Sequence, residues 1–265
     1  MFSFTMQHLV TPALKLDYHL TPWDEPILGA PTAAIATIGV YIPQQATVDF
    51  IAFRAWCLQG GIQLVCCRLA QDRLDECGFL ETQGFRFIEL NYRPTVSGLA
   101  RFQADPDIAI LPATMADIDE IVGFAAQIYD AGRLHADPQV GVGLGNRRYA
   151  AWARNAFNNP RQSVLKCEMD GGTVGFFVVE APDPASRFWS LIGLATGMSG
   201  RGLGRRVWQS MLAHHHEEGV AQVSTSISSH NVAVHNLYVA LGFRFPSPEI
   251  TLHWCPTGPL NRPTS

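Results

Sequence analysis

The stretch Leu191-Ile-Gly-Leu-Ala-Thr-Gly-Met-Ser-Gly-Arg-Gly-Leu-Gly-Arg-Arg-Val-Trp208 decides the reading of this chain. An apolar run enters a loop with Gly200, Gly202 and Gly204 at alternate positions, and the residues after it set Val207, Met211 and Leu212 on one helical face. The order is strand, loop, helix. Alternate glycines let a backbone come close to a ligand and adopt positive φ. The first N–H groups of the following helix lack intrahelical acceptors and carry the positive end of its dipole. Such an end takes an anion, and a pyrophosphate suits it. Arg201, Arg205 and Arg206 add positive charge. The spacing is neither the G-x-G-x-x-G dinucleotide fingerprint nor a P-loop, since no Gly-Lys-Ser/Thr follows.

Downstream, a strand at Val223–Ile227 precedes Asn231-Val-Ala-Val-His-Asn-Leu-Tyr-Val-Ala-Leu-Gly-Phe243. Asn231 suits a helix N-cap and Gly242 a helix stop. Val234, Leu237, Tyr238 and Leu241 share a face, with Tyr238 two turns beyond Asn231. Upstream lie strands at Arg187–Ala195, Thr173–Glu180 and Ser163–Met169, the last two joined by Asp170-Gly171-Gly172. Before them come a helix at Gly145–Phe157, a loop at Asp130–Leu144, a helix at Met115–Tyr129 capped by Thr114, and a strand at Ile108–Leu111. The first part reads as strand Ala33–Ile42, helix Thr47–Gln59, strand Ile62–Cys67, helix Leu69–Thr82 and strand Phe85–Tyr92. Mixed strands and helices make the class α/β or mixed α+β. Arg93–Pro106, with two prolines, is the expected linker. Gly84-Phe85-Arg86-Phe87 recurs as Gly242-Phe243-Arg244-Phe245, each copy after a helix and before a strand, which suggests two related units with one degenerate.

Two motifs resemble the GNAT superfamily of acyl-CoA-dependent N-acetyltransferases. Ser199-Gly-Arg-Gly202-Leu-Gly204 is similar to its pyrophosphate loop, with Ser199 replacing the usual Arg or Gln and Thr196 standing where proline is common. Asn231, Ala233, Leu237-Tyr238 and Gly242-Phe243 are similar to its Asn…Leu-Tyr…Gly-Phe helix. The resemblance covers about Ile108 to Leu252. It implies a central mixed, mostly antiparallel sheet flanked by helices, preceded by a degenerate half of the same kind. The expected boundaries are 1–93 for that half, 94–106 for the linker, 107–255 for the acetyl-CoA-binding domain and 256–265 for a tail. Leu20-Thr-Pro-Trp23-Asp24, His135-Ala-Asp137-Pro138 and Tyr149-x-x-Trp152 resemble a subgroup, the bacterial TDP-fucosamine acetyltransferases. In the first half Leu80 stands where Tyr238 stands in the second copy.

The resemblance implies acetyl-CoA as cosubstrate, held by Leu194, Ala195, Thr196, Arg201, Gly202, Leu203, Gly204, Arg205 and Asn231. The amides of Leu194 and Thr196 would take the pantetheine arm as an added strand, with the Leu194 N–H as oxyanion donor. Amide formation needs a lost amine proton, a stabilised oxyanion and a protonated leaving thiolate. Tyr238 is the general-acid candidate, although a phenol near pKa ~10 protonates the thiolate of a thiol near ~8.5 only uphill. His135, Asp137, Glu180 or a water relay could be the base; His135 is preferred because histidine titrates near neutral pH. Trp23, Asp137 and Tyr149 are the expected substrate contacts.

The 265 residues are 47% hydrophobic and 16% charged, which excludes extended disorder. A net charge of −4 argues against nucleic-acid and polybasic membrane binding. Six cysteines without a C-x-x-C pair fit reduced thiols, and no signal peptide or spanning segment is read, so a cytoplasmic location is expected. His214-His215-His216 is read as a solvated helix end rather than a metal site, because consecutive positions diverge, and no metal is expected. The expected partners are a small-molecule amine, with a nucleotide-linked amino sugar as one acceptor, and a second copy in a homodimer. The alternatives are another small amine (an amino acid, polyamine or antibiotic) and a non-catalytic acyl-CoA sensor. The acidic balance suits a cationic amine better than a dianionic sugar nucleotide.

Overall fold

A computed structural model describes residues 5–198 and 202–260. The first elements are β1 (Gln7–Val10), β2 (Leu14–Leu20), α1 (Glu25–Leu28), β3 (Thr32–Val40), α2 (Pro43–Gln59), β4 (Leu64–Ala70), α3 (Leu74–Thr82), β5 (Arg86–Tyr92) and β6 (Thr95–Ser97). There follow β7 (Ala109–Pro112), α4 (Ile118–Ala125), α5 (Arg133–Ala136), α6 (Val142–Ala156), β8 (Gln162–Met169), β9 (Gly172–Asp183) and β10 (Ser186–Leu194). The last are α7 (Leu203–Glu217), β11 (Gln222–Thr225), β12 (Ile227–Ser228), α8 (Val232–Ala240) and β13 (Glu249–Trp254). This is a mixed α+β fold with two mixed sheets flanked by helices.

The chain divides into two compact units that are not consecutive in sequence. The first holds residues up to Asn91, Ala131–Gly145 and the chain from Ser247 onward; the second holds Tyr92–Asp130 and Asn146–Pro246. In the first unit the strands run β1-β2-β3-β4-β13-β5, antiparallel except for β3–β4. Alternation along β2 buries Leu14, Leu16 and Tyr18. Helix α2 turns Ala46, Phe50, Phe53 and Cys57 toward them at helical spacing, and Phe79 and Leu80 of α3 complete this core.

In the second unit the order is β6-β11-β10-β9-β8-β7, with only β10–β11 parallel. Its core gathers Phe177, Trp189, Val207, Trp208, Met211, Tyr238 and Phe243. Full burial of each large apolar side chain contributes about 1.5–3 kcal/mol. The repeated tetrapeptide has the same structural job in both units. Gly84 (φ 93°) and Gly242 (φ 80°) end α3 and α8 in the left-handed region. The N–H of Phe85 then donates to the Leu80 carbonyl at 3.0 Å, and that of Phe243 to Tyr238 at 2.9 Å. Leu80 and Tyr238 are therefore equivalent positions. The copies then diverge: Arg86 and Phe87 open β5, whereas Arg244 makes one isolated bridge to Thr95.

Several expectations need correction. The segment 94–106 is not a bare linker: Thr95, Val96 and Ser97 pair with β11, and Leu99–Arg101 forms a 3₁₀ turn. The division into 1–93 and 107–255 misses two returns to the first unit, at Ala131–Gly145 and Ser247 onward. β13 is inserted between β4 and β5, a pairing that local periodicity does not reveal. The helix expected from Leu69 starts at Leu74, because β4 continues to Ala70 with Leu69 in the core. The helix expected to reach Tyr129 ends at Ala125, and the following turn carries Ile128 and Tyr129 across β10.

Candidate active site

The site begins where two parallel strands part. β10 pairs with β11 only over Ser186–Trp189 and Gln222–Thr225. β9 alone accompanies β10 as far as Leu194. Backbone directions there follow from one bond: the Ala195 N–H donates to the Val174 carbonyl of β9 at 2.9 Å. Successive amides along a strand point to opposite edges, so Leu194 N–H faces away from β9. Ile192 lies on that same edge, and its carbonyl accepts the Tyr129 hydroxyl at 2.6 Å. Among the described residues Leu194 is thus a backbone donor on an edge that no strand covers. Ala195 differs: its N–H is committed to Val174, and its carbonyl accepts from Met198 at 3.1 Å. Thr196 is exposed in the turn that follows.

Helix α7 starts at this edge. Gly202 is its N-cap at φ 74°, and Leu203 is buried beneath the first turn. A Cβ on Gly204 would meet Leu194 Cδ1 at 3.6 Å and Leu237 Cδ2 at 3.7 Å. The helix N-terminus therefore sits against the end of β10 and against α8. Arg205 is exposed on the first turn, whereas Arg206 is held by Asp105 at 2.5 Å and Asp107 at 3.0 Å. Ser199, Gly200 and Arg201 lie outside the described residues. The arrangement offers helix N–H groups without intrahelical acceptors, a positive dipole end and, among the described residues, the exposed Arg205, the chemistry that a diphosphate requires.

α8 brings Tyr238 to the same unit. Asn231 accepts the Val234 N–H at 3.2 Å, so its side-chain oxygen is a helix cap. Tyr238 is 2% exposed, with its ring 4.6 Å from that of Phe243. Burial pushes its phenol up to about 12; Trp208 and Thr225 offset only part of this. Among the described residues Trp208 Nε1 is buried with no hydrogen-bond partner. Tyr129 was missed by sequence reasoning. Burial, then Tyr149 and Tyr238, hold its phenol well above the usual value. Its ring stacks on Tyr149 at 4.0 Å, and Tyr149 lies parallel to Trp152 at 6.3 Å. No spacing rule points to Tyr129, because the turn after α4 places it.

The remaining candidates belong to the first unit. His135 Nδ1 accepts the Gly132 N–H at 3.3 Å, and its ring covers Gly145, where a Cβ would stand 2.4 Å from Nε2. Asp137 is fully buried; its oxygens accept from His253 at 2.7 Å and from the Gln139 N–H at 2.8 Å. That excludes it as a free substrate contact, and it instead orients a histidine. Trp23 is half-buried, 6.1 Å from the His19 ring. Glu180, in the second unit, accepts from Gln162 at 2.7 Å.

The histidine run is not the solvated end that the sequence suggested, because His215 is 1% exposed. Trp189 Nε1 can only donate, so His215 Nε2 accepts at 3.0 Å and Nδ1–H faces Glu218 at 3.0 Å. Burial lowers its pKa to about 4. His214, His215 and Glu218 bring ligand-type atoms within 4.8 Å of one another, yet both nitrogens of His215 are engaged.

Residues 128–243 match the model of the acetyltransferase (GNAT) family. No curated protein matches the chain in sequence. Among solved structures, a conserved Staphylococcus epidermidis protein of unknown function aligns with a TM-score of 0.67 at 13% identity, over 94% of this chain and 93% of that one. A tandem GNAT protein from the clavulanic acid biosynthesis pathway aligns at 0.58 and 14% identity, over 96% and 80%. A fungal glucosamine N-acetyltransferase region aligns at 0.64 and 10% identity, over 91% of this chain and 31% of that one. The fold is that of GNAT acetyltransferases.

Proposed function

We propose that this protein transfers an acetyl group from acetyl-CoA to a primary amine. The observation that carries this reading is the open edge of β10, where Leu194 N–H faces away from β9 beside the N-terminus of α7. The α7 amides and Arg205 would bind the diphosphate, and the edge of β10 would bond the pantetheine amides as an added strand. Leu194 N–H would donate to the thioester oxygen as it gains charge during attack by the amine. The phenol of Tyr238 stays neutral at physiological pH, since burial holds it at about 12. It would serve as a hydrogen-bond donor to the departing sulfur.

For the acceptor we propose an amino sugar, carried on a nucleotide. The support is the subgroup resemblance at Trp23, His135 and Tyr149, together with the aromatic stack of Tyr129, Tyr149 and Trp152. His135 would accept the amine proton, directly or through water. The test is CoA release from acetyl-CoA with TDP-amino sugars, free glucosamine, polyamines and amino acids. Selective turnover of the amino sugars supports the full reading. Turnover of another amine alone removes the sugar, and binding of acetyl-CoA without turnover of any amine leaves a sensor.

A further inference from the structure

The first unit holds a second chemical centre, on one face of its sheet. Cys66 of β4 is the cross-strand partner of His253 of β13, and Arg68 is the partner of Thr251. Thr251 in turn lies opposite Glu89 of β5. Cross-strand partners share a face, so these five residues form one polar row. Their neighbours Val65, Cys67 and Leu252 point the other way, into the core. The pair Cys66-Cys67 is therefore not a dithiol on one face.

The row is organised around His253, which is fully buried. Its Nδ1 stands 2.7 Å from Asp137 Oδ2, and Nε2 stands 3.1 Å from Arg133 Nη1. An arginine only donates, so Nε2 accepts and Nδ1 carries the proton shared with Asp137. Arg133 is fixed from behind by Asp24 at 2.7 Å. Cys66, which is half-buried, sits beside both the imidazole and the guanidinium. Burial alone would raise its thiol; nearby positive charge, that of Arg133 first, outweighs this and lowers it to about 7. The buried thiols of Cys57 and Cys167 stand at about 12. Two atoms of the row, Glu89 Oε2 and Thr251 Oγ1, are buried without a partner among the described residues. Buried polar atoms are normally paired, so the row carries hydrogen-bonding capacity that its own neighbours leave unfilled.

From this geometry we infer that Cys66 is a nucleophilic thiol, positioned by His253–Asp137 and Arg133, that accepts an acyl group from a thioester. The reaction class follows from what the site contains. Transfer between two sulfurs needs no oxidant or reductant. The Cys66 thiolate attacks the thioester carbonyl carbon; a new S–C bond forms, and the old C–S bond breaks. The departing thiolate, near ~8.5 against about 7 for Cys66, is the more basic of the two, and at neutral pH it takes a proton from water and leaves as a thiol. Arg133 and Arg68 hold the thiolate charge, His253 borders it, and Asp24, Asp137 and Glu89 are the carboxylates around those cations. The natural donor, acyl-CoA, rests on the function proposed above; the reactivity of the sulfur does not.

The test uses S-acetyl-N-acetylcysteamine, a thioester that lacks the diphosphate, on the intact protein at neutral pH. Mass spectrometry is expected to find one acetyl group on Cys66 and none after Cys66→Ser. Absence of the adduct, or equal acetylation of Cys77, overturns the inference. Alkylation of native protein by iodoacetamide, mapped to Cys66, is expected to reach half its limiting rate near pH 7, and a midpoint above about 8.5 overturns the inference. Arg133→Gln is expected to slow Cys66 labelling at pH 7 about tenfold, because the thiolate fraction falls. The native pH profile decides the matter even if that variant unfolds. Amine acetylation without thioester labelling would leave the proposed function and remove this one; labelling without amine turnover would do the reverse.

Discussion

Replacing Tyr238 by Phe removes one oxygen from a residue that is 2% exposed and leaves its packing on Phe243 in place. The phenol titrates at about 12, because burial disfavours the phenolate. A leaving thiol near ~8.5 makes complete proton transfer uphill by roughly 3.5 units, about 5 kcal/mol. A separate transfer step is therefore disfavoured, and the phenol acts by hydrogen bonding to the sulfur as charge builds. A hydrogen bond to a charged group is worth about 1.5–3 kcal/mol, so kcat of Tyr238→Phe should fall by roughly ten- to a hundredfold. The assay is steady-state CoA release at saturating amine from about pH 6 to pH 10, with acetyl-CoA affinity measured in parallel. Affinity should be unchanged. No alkaline loss in the wild-type profile should belong to Tyr238, because the group stays protonated across that range. A rate within twofold of wild type, or an alkaline limb near pH 8–9 that disappears in the variant, would refute the reasoning. The same shift affects stability: the folded pKa is raised above the unfolded value near ~10, so this contribution is complete below that pH. It is lost as pH rises toward about 12.

Gly193→Ala should destabilise the second unit, because its Cβ would lie 2.0 Å from Ile128 Cδ1 and 2.9 Å from Phe176 Cε1. Overpacking of this kind costs about 1–3 kcal/mol, read as a lower urea midpoint, and Ile128→Ala in the same chain should recover part of it. His215 has a depressed folded pKa, about 4 against 6.5, so its contribution is present above pH 6.5 and lost as pH falls toward 4. Integrated over that window the loss is about 3 kcal/mol, and His215→Gln should flatten the acid slope of the urea midpoint. His135→Gln should lower kcat toward the acceptor while leaving acetyl-CoA affinity intact; an unchanged pH–rate profile would exclude His135 as the base.

The parts of the fold that local pattern specifies were legible in the sequence. Phe50, Phe53 and Cys57 mark α2 by their spacing, and Asn231 and Gly242 bound α8 by their cap chemistry. The Gly-Phe-Arg-Phe repeat announces the paired units, because both copies need the same left-handed glycine after a helix. Pairings between distant segments were not legible. β13 alternates well enough to be a strand, but nothing local tells Glu249–Trp254 to insert between β4 and β5. The same holds for the chemistry. Gly204 and Tyr238 sit in motifs with fixed offsets, whereas Cys66 and His253 meet only through that insertion. Asp137 was singled out as a substrate contact from its neighbours in sequence, and its burial against His253 is a tertiary fact.

Coenzyme A is expected to lie along the edge of β10 and across the start of α7. A crystal of the protein soaked with coenzyme A tests this most directly. The diphosphate is expected against the amides of residues 202–205, a pantetheine amide bonded along Ile192–Leu194, and the sulfur within hydrogen-bond reach of the Tyr238 hydroxyl. Coenzyme A bound elsewhere, or a sulfur remote from both Leu194 N–H and that hydroxyl, would contradict it.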